Sequence, residues 1–207
     1  FVSNPMEHGE ASKLALYGVA DYTWNMAAYN PIDNWERGLD ELTPHARDAY
    51  RTFAIHSSDT ETGYRRDESW ETETFRINNY TQEQFDALKE EFEKIKKVPA
   101  QLEQSNDNKA LVKELKPWLV EFGKLGDRGS KTLDIIKLYD TADASEFWEA
   151  YTKNLMSAED IKSYKEHKSG TMKIQPFYEN AMDDMLHGFY VKLTGELPLA
   201  YKGIGTY

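Results

Sequence analysis

The residues of this chain whose types and spacing could do chemistry are few. They are the adjacent carboxylates Asp183 and Asp184, histidines at 8, 45, 56, 167 and 187, and the pair Asn4-Pro5. Two neighbouring carboxylates suit general acid–base work. Consecutive helical residues point about 100° apart, however, so both cannot converge on one substrate without special geometry. Asp183 and Asp184 lie early in an expected helix, where acidic side chains favour the dipole. A structural role is the expectation for them. No two histidines stand at i, i+4, the helical arrangement of a two-histidine metal site. They are read as exposed or capping residues, and neither a metal nor any other cofactor is expected. His8-Gly9-Glu10 matches half of a deaminase signature, but its Cys-x-x-Cys half cannot exist in a chain without cysteine. There is no Gly-x-Gly-x-x-Gly, no P-loop and no Gly-x-Ser-x-Gly.

Asn4 stands where an expected buried strand, Phe1-Val2-Ser3, ends and the chain turns at Pro5. If that strand belonged to a (β/α)₈ barrel, Asn4 would lie on the face where such barrels carry their sites. An asparagine there offers donors and an acceptor for paired sugar hydroxyls. It can equally satisfy the backbone of the turn. A strand needs pairing partners, and the rest of the sequence shows no second convincing strand. The chain therefore reads as a fragment of a longer protein. The stretch 195–207, with three glycines and a proline, reads as an exit linker.

Nearly everything between the ends reads as helix. The first helix is expected from about His8 to Met26. Leu14, Leu16, Tyr17, Val19, Tyr22 and Trp24 leave it no wide polar face, so burial on more than one side is expected. Asn30-Pro31 and Thr43-Pro44 are two N-cap and N1 signatures, opening helices near 31–42 and 44–57. The stretch from Ser57 to Tyr80 is irregular and reads as a long loop. Thr81 and Gln84 form a capping box, and Phe85, Leu88, Phe92 and Ile95 carry a helix to about Lys97. Leu111, Leu115, Trp118, Phe122, Leu125, Gly129, Thr132, Ile136 and Tyr139 alternate steps of four and three, a sustained heptad pattern. Val112, Leu119 and Leu133 widen the stripe, which suits a bundle. Pro117 predicts a kink, or a break near Leu115. Gly126 and Gly129 predict a close approach by another element. A helix over about 143–167 with Trp148, Tyr151, Leu155, Ala158 and Ile161 on one face follows. Pro176 opens the last, with Tyr178, Met182, Met185 and Phe189 as its stripe. The fold class is mainly α: an antiparallel bundle of about five helices behind the last strand and helix of a (β/α)₈ barrel.

Composition narrows the function further. The chain has 207 residues, a net charge of −11, 13% aromatics and no cysteine. The aromatic content argues against disorder. The acidic balance argues against nucleic acid as a partner. No apolar run approaches the roughly 20 residues of a membrane span.

One stretch is specific. Ser3-Asn4-Pro5-Met6-Glu7, the run from Glu10 to Asn25 (Glu-Ala-Ser-Lys-Leu-Ala-Leu-Tyr-Gly-Val-Ala-Asp-Tyr-Thr-Trp-Asn), and Tyr29-Asn30-Pro31 with Trp35 together resemble glycoside hydrolase family 84. This family holds bacterial β-N-acetylglucosaminidases, including those called hyaluronidases and the O-GlcNAcase homologues. The resemblance places the chain at the junction of catalytic barrel and post-catalytic helical bundle: 1–28 the last βα unit, 29–194 the bundle, 195–207 the linker. It implies a parent enzyme that removes β-linked N-acetylglucosamine with retention, the substrate's acetamido oxygen acting as nucleophile, an exception to the two-carboxylate scheme. The two aspartates that the family uses as acetamido-orienting group and acid/base would precede Phe1, so no catalytic residue is expected in this chain. Asn4 matches the family's sugar-binding asparagine. Trp70, in the irregular stretch, is a weaker candidate for stacking on the leaving-group side, and equally a residue that anchors the loop. The resemblance further implies a GlcNAc-bearing glycan or glycoprotein as partner, and secretion or a cell-surface location. A second reading stays open: a non-catalytic helical bundle that binds protein or glycan.

Overall fold

A computed structural model describes residues 7–57, 80–138, 141, 143–167 and 181–195, with backbone alone at 181–185. The expected strand at 1–3 lies outside these residues. The described residues form eight helices and no strand: α1 (Gly9–Trp24), α2 (Pro31–Leu42), α3 (Arg47–Ser57), α4 (Gln82–Ser105), α5 (Lys109–Lys137), α6 (Ala144–Asn154), α7 (Ala158–Glu166) and α8 (Ala181–Thr194). The chain is mainly α, as the patterning requires.

The axis of the molecule is the antiparallel hairpin of α4 and α5. Its register is visible in pairs that run in opposite senses: Pro99 against Gly123, Lys96 against Gly126, Phe92 against Gly129. The two glycines read as approach points are just that. A Cβ on Gly126 would stand 2.4 Å from the Lys96 nitrogen, and one on Gly129 would stand 2.3 Å from Cε1 of Phe92. The heptad stripe faces this hairpin and its neighbours. Leu111, Leu115, Phe122, Leu125, Leu133 and Ile136 are all buried. Around the hairpin, α5 meets α1, α6 and α8, and α4 meets α3.

Local chemistry accounts for most helix starts. Asn30 caps α2 by accepting from the Ile32 and Asp33 amides, with Pro31 at N1. The Thr81 and Gln84 capping box is complete in both directions. Asn108 caps α5 and Asp143 caps α6.

Several expectations need correction. The helix from Thr81 does not end near Lys97 but runs through Pro99 to Ser105. Val98 and Leu102 are buried on either side of the proline, and that burial outweighs one missing N–H···O bond. At Pro117, of the two expected alternatives, the break near Leu115 does not occur and α5 is continuous. Thr43 does not cap α3. It closes α2 instead, its hydroxyl donating to the Leu39 carbonyl, and α3 begins at Arg47. The expected helix over 143–167 is two helices. Leu155 is extended, Met156 is buried, and Ser157 caps α7 by accepting from the Asp160 amide. Ala158 is exposed as a result. Along α1, Ala11 and Leu14 pack onto the core, while Leu16, Tyr22 and Trp24, with Met26 just beyond the helix, are exposed within this chain.

Candidate functional site

Asn4 and Trp70, the two candidate sugar contacts, lie outside the described residues, as does the expected loop around Trp70. Asp183 and Asp184 fall in the first turn of α8, the dipole-favoured end. Among the described residues no group of three or more His, Asp or Glu side chains could hold a metal ion. What the described residues do build is the platform beneath α1, the helix that follows Asn4.

The first turn of α1 is held from a distance. His8 occupies the N-cap position but its side chain makes no cap bond. The Glu114 carboxylate of α5 accepts from the Ala11 amide at 2.8 Å and from the Glu10 amide at 3.2 Å instead. The Ala11 bond is the main reason that the Glu114 carboxyl lies below its ordinary range, against the opposing effect of desolvation. The ring of His8 meets Trp118 edge-on at 4.8 Å, and His167 meets the same indole at 5.2 Å. The start of α1, the middle of α5 and the end of α7 are thus joined through one tryptophan.

The start of α3 is held in the same way. Asp107, in the turn between α4 and α5, accepts from the His45 and Ala46 amides, each at 2.9 Å, and from His45 Nδ1 at 2.6 Å. Burial works against charge on this carboxylate, but these three donors prevail and lower its pKa. Asp107 is the cap that Thr43 was expected to be.

Further along, α1 and α2 are tied by Asp21. Its carboxylate accepts from the buried Asn34 amide and from Arg37, both at 3.0 Å. Gly18 faces Asn34 and the Tyr29 hydroxyl, and Gly38 faces Leu14 and Tyr17. Between α1, α2 and α3 lies a mostly apolar cleft of about 670 Å³, lined by Leu14, Tyr29, Trp35, Tyr50 and Phe53 among others. Burial, with Glu114 nearby, pushes the Tyr50 hydroxyl up to about 12.

One histidine corrects the expectation that all five are exposed or capping. His56 is fully buried in the last turn of α3. Its Nε2 lies 2.7 Å from Oε1 of Glu91 on α4. An ionised carboxylate can only accept, so Nε2 carries the proton. Burial disfavours the Glu91 charge, but His56, helped by Lys94, more than offsets it and lowers the carboxyl. Phe122 tilts against the imidazole at 6.0 Å. The spacing of His56 gave no hint of this, because its partner lies 35 residues away. The acids that cap α1 and α3, bridge α1 to α2 and pair in the core each have a structural task, and none is arranged over a cleft as an acid and base pair would be.

Two family models and a solved structure match the chain. The model of the bacterial GH84 post-catalytic domain matches residues 71–181. The model of beta-N-acetylglucosaminidase matches residues 1–55. A solved structure titled "Structure of CpGH84B" superposes with a TM-score of 0.65 at 25% identity, over 90% of this chain and 32% of that one. The chain thus spans about a third of that relative's length. With α1 to α3 on one family segment and α4 to α7 within the next, the chain belongs to glycoside hydrolase family 84.

Proposed function

We propose that this chain is the C-terminal part of a retaining, substrate-assisted β-N-acetylglucosaminidase that removes β-linked GlcNAc from glycoconjugates. The observation that carries the reading is the order of the two family matches, with residues 1–55 glycosidase and residues 71–181 post-catalytic. The division proposed is 1–28 as the last βα unit, 29–194 as the bundle and 195–207 as a linker. The exposed apolar residues Leu16, Tyr22 and Trp24 of α1, with Met26 just beyond it, are the surface on which the rest of the barrel would pack. The bundle's part is mechanical: Glu114 and Trp118 fix the start of α1. The hydroxyl-binding role belongs to Asn4, and a weaker stacking role to Trp70. The acid/base and acetamido-orienting aspartates belong to the barrel. The parent acts on a GlcNAc-bearing glycan or glycoprotein, is secreted or displayed on a bacterial surface, and has no nucleic-acid partner. No described helix is long and apolar enough to cross a membrane.

The test is complementation. This chain alone should not hydrolyse an aryl N-acetylglucosaminide, and addition of the matching barrel segment should restore turnover. In the restored enzyme Asn4→Ala should lower kcat/KM about ten-fold or more, equivalent to about 1.4 kcal/mol, with an unchanged unfolding midpoint. Hydrolysis by the chain alone, or full kcat/KM in the variant, would overturn the reading of the fragment or of Asn4 respectively.

A further inference from the structure

A small groove lies where α4 gives way to α5. Leu102, Glu103 and Asn106 on one side and Lys109, Val112, Lys113 and Lys116 on the other enclose about 320 Å³. The three lysines stand at i, i+4 and i+7, so they share one face of α5 over about 10 Å. All three are exposed, and none makes a hydrogen bond or ion pair among the described residues; Glu103 makes none either. Five other lysines of the same two helices are engaged by carboxylates: Lys89 by Asp134, Lys94 by Glu90, Lys96 and Lys131 by Asp127, Lys124 by Asp160; Lys137 lies over the Phe85 ring, and Lys97 stands away from the groove.

Stability does not account for the cluster. Lys109 stands in the first turn of α5, which holds no acidic residue, and the helix dipole disfavours a cation there. Like charges at i, i+4 repel. In a chain of net charge −11, three unneutralised lysines around one groove are a local reversal of sign.

We propose that this groove binds an acidic saccharide, a sugar unit bearing a carboxylate or a sulfate. The ammonium groups would hold the anion. Leu102, Val112 and the lysine stems offer apolar surface to the C–H face of a sugar ring. The Asn106 amide N–H is already given to the Gln104 carbonyl, which keeps its side-chain oxygen as an acceptor. Glu103 favours a ligand that carries few charges and many donors: a poly-carboxylate peptide sets a charge on every side chain against it, whereas a saccharide spaces its anions between hydroxyls that donate to it. The inference rests on the reading that the parent enzyme works on glycans.

The test is calorimetric titration of the 207-residue chain at low ionic strength with four probes. These are a hyaluronan oligosaccharide (carboxylate only), a chondroitin sulfate oligosaccharide (carboxylate and sulfate), a neutral N-acetylglucosamine oligosaccharide and poly-glutamate. The expected result is binding of at least one acidic oligosaccharide, weakened about ten-fold or more in the K109Q/K113Q/K116Q variant, or about 1.4 kcal/mol. The unfolding midpoint of that variant should match the parent chain, and Lys153→Gln should leave binding unchanged. The stronger of the two acidic probes identifies the anion. No binding of either acidic probe, equal binding by the triple variant, or equal binding of poly-glutamate or the neutral probe overturns the proposal. Hydrolysis is not read in these titrations, so the glycosidase reading can fail in its complementation assay without altering them, and the reverse.

Discussion

Replacing Gly126 by alanine tests the α4–α5 hairpin most directly. In an exposed helix the change would help, by about 1 kcal/mol. Here the new Cβ would lie 2.4 Å from the Lys96 nitrogen, 2.7 Å from the Phe92 carbonyl oxygen and 2.8 Å from the Lys96 Cα. These are backbone atoms of α4, and no rotamer change relieves them. Ordinary contact begins at 3.4 Å, so the helices must part by about 1 Å along their most extensive contact. Overpacking of this kind costs about 1–3 kcal/mol and occasionally more. A contact with rigid backbone belongs at the upper end, leaving a net loss of about 2 kcal/mol after the helix-propensity gain. For a chain of this size each kcal/mol moves Tm by about 2–4 °C, so Gly126→Ala should melt about 4–8 °C lower. Gly188→Ala is the internal control. It lies inside α8 with nothing within 4 Å of the added methyl, and should melt slightly higher. Thermal denaturation followed by circular dichroism compares them. If Gly126→Ala melts at or above the unmodified chain, the helices are not in backbone contact there and the hairpin register is wrong.

Acid should weaken the fold through Glu91. Its carboxyl titrates lower in the fold than in the unfolded chain, so its stabilisation is present above the unfolded value of about 4.5 and lost as pH falls through the lower folded value. Urea unfolding across that range should show a weaker acid dependence in Glu91→Gln, and equal slopes would dismiss the pairing with His56. Asp107→Ala removes the cap of α3 and should cost about 1–2 kcal/mol, read as a drop in the urea midpoint; no drop would mean water replaces it fully. Phe122 is fully buried between α3 and α5, so Phe122→Ala should cost about 3–5 kcal/mol, and a change within error would place the heptad stripe on the surface.

What could be read in the sequence was what short-range chemistry decides. The Asn30 and Thr81 caps bond within three residues, so their signatures identify the helix starts directly. Gly126 and Gly129 stood out because a glycine inside an apolar stripe has a packing reason. Thr43-Pro44 misled because the real cap, Asp107, comes from 61 and 62 residues away. His56 looked bland for the same reason. The break at Leu155 was masked by apolar spacing that continues across it, although Ser157 and Asp160 form a legible cap. Pro117 suggested a kink or a break, and burial of the α5 face keeps the helix continuous through it, as burial of the α4 face does at Pro99. Of the candidate site, Asn4 was singled out by the surrounding motif and lies outside the described residues, whereas the platform that fixes α1 depends on Glu114 and Trp118, whose partners about a hundred residues away no local pattern reveals.

The two long-range caps bear on the order in which the chain is completed. Glu114 follows the amides it receives by 103 and 104 residues, and Asp107 follows its own by 61 and 62. At about 5–20 residues per second during synthesis, α1 emerges and waits on the order of 5–20 s before its partner exists. In refolding the same contacts close late, since distant pairs must pay loop entropy before they contribute. An early helix is therefore finished by a later one: until the α4–α5 hairpin folds back, the first turn of α1 lacks the Glu114 carboxylate that holds its amides.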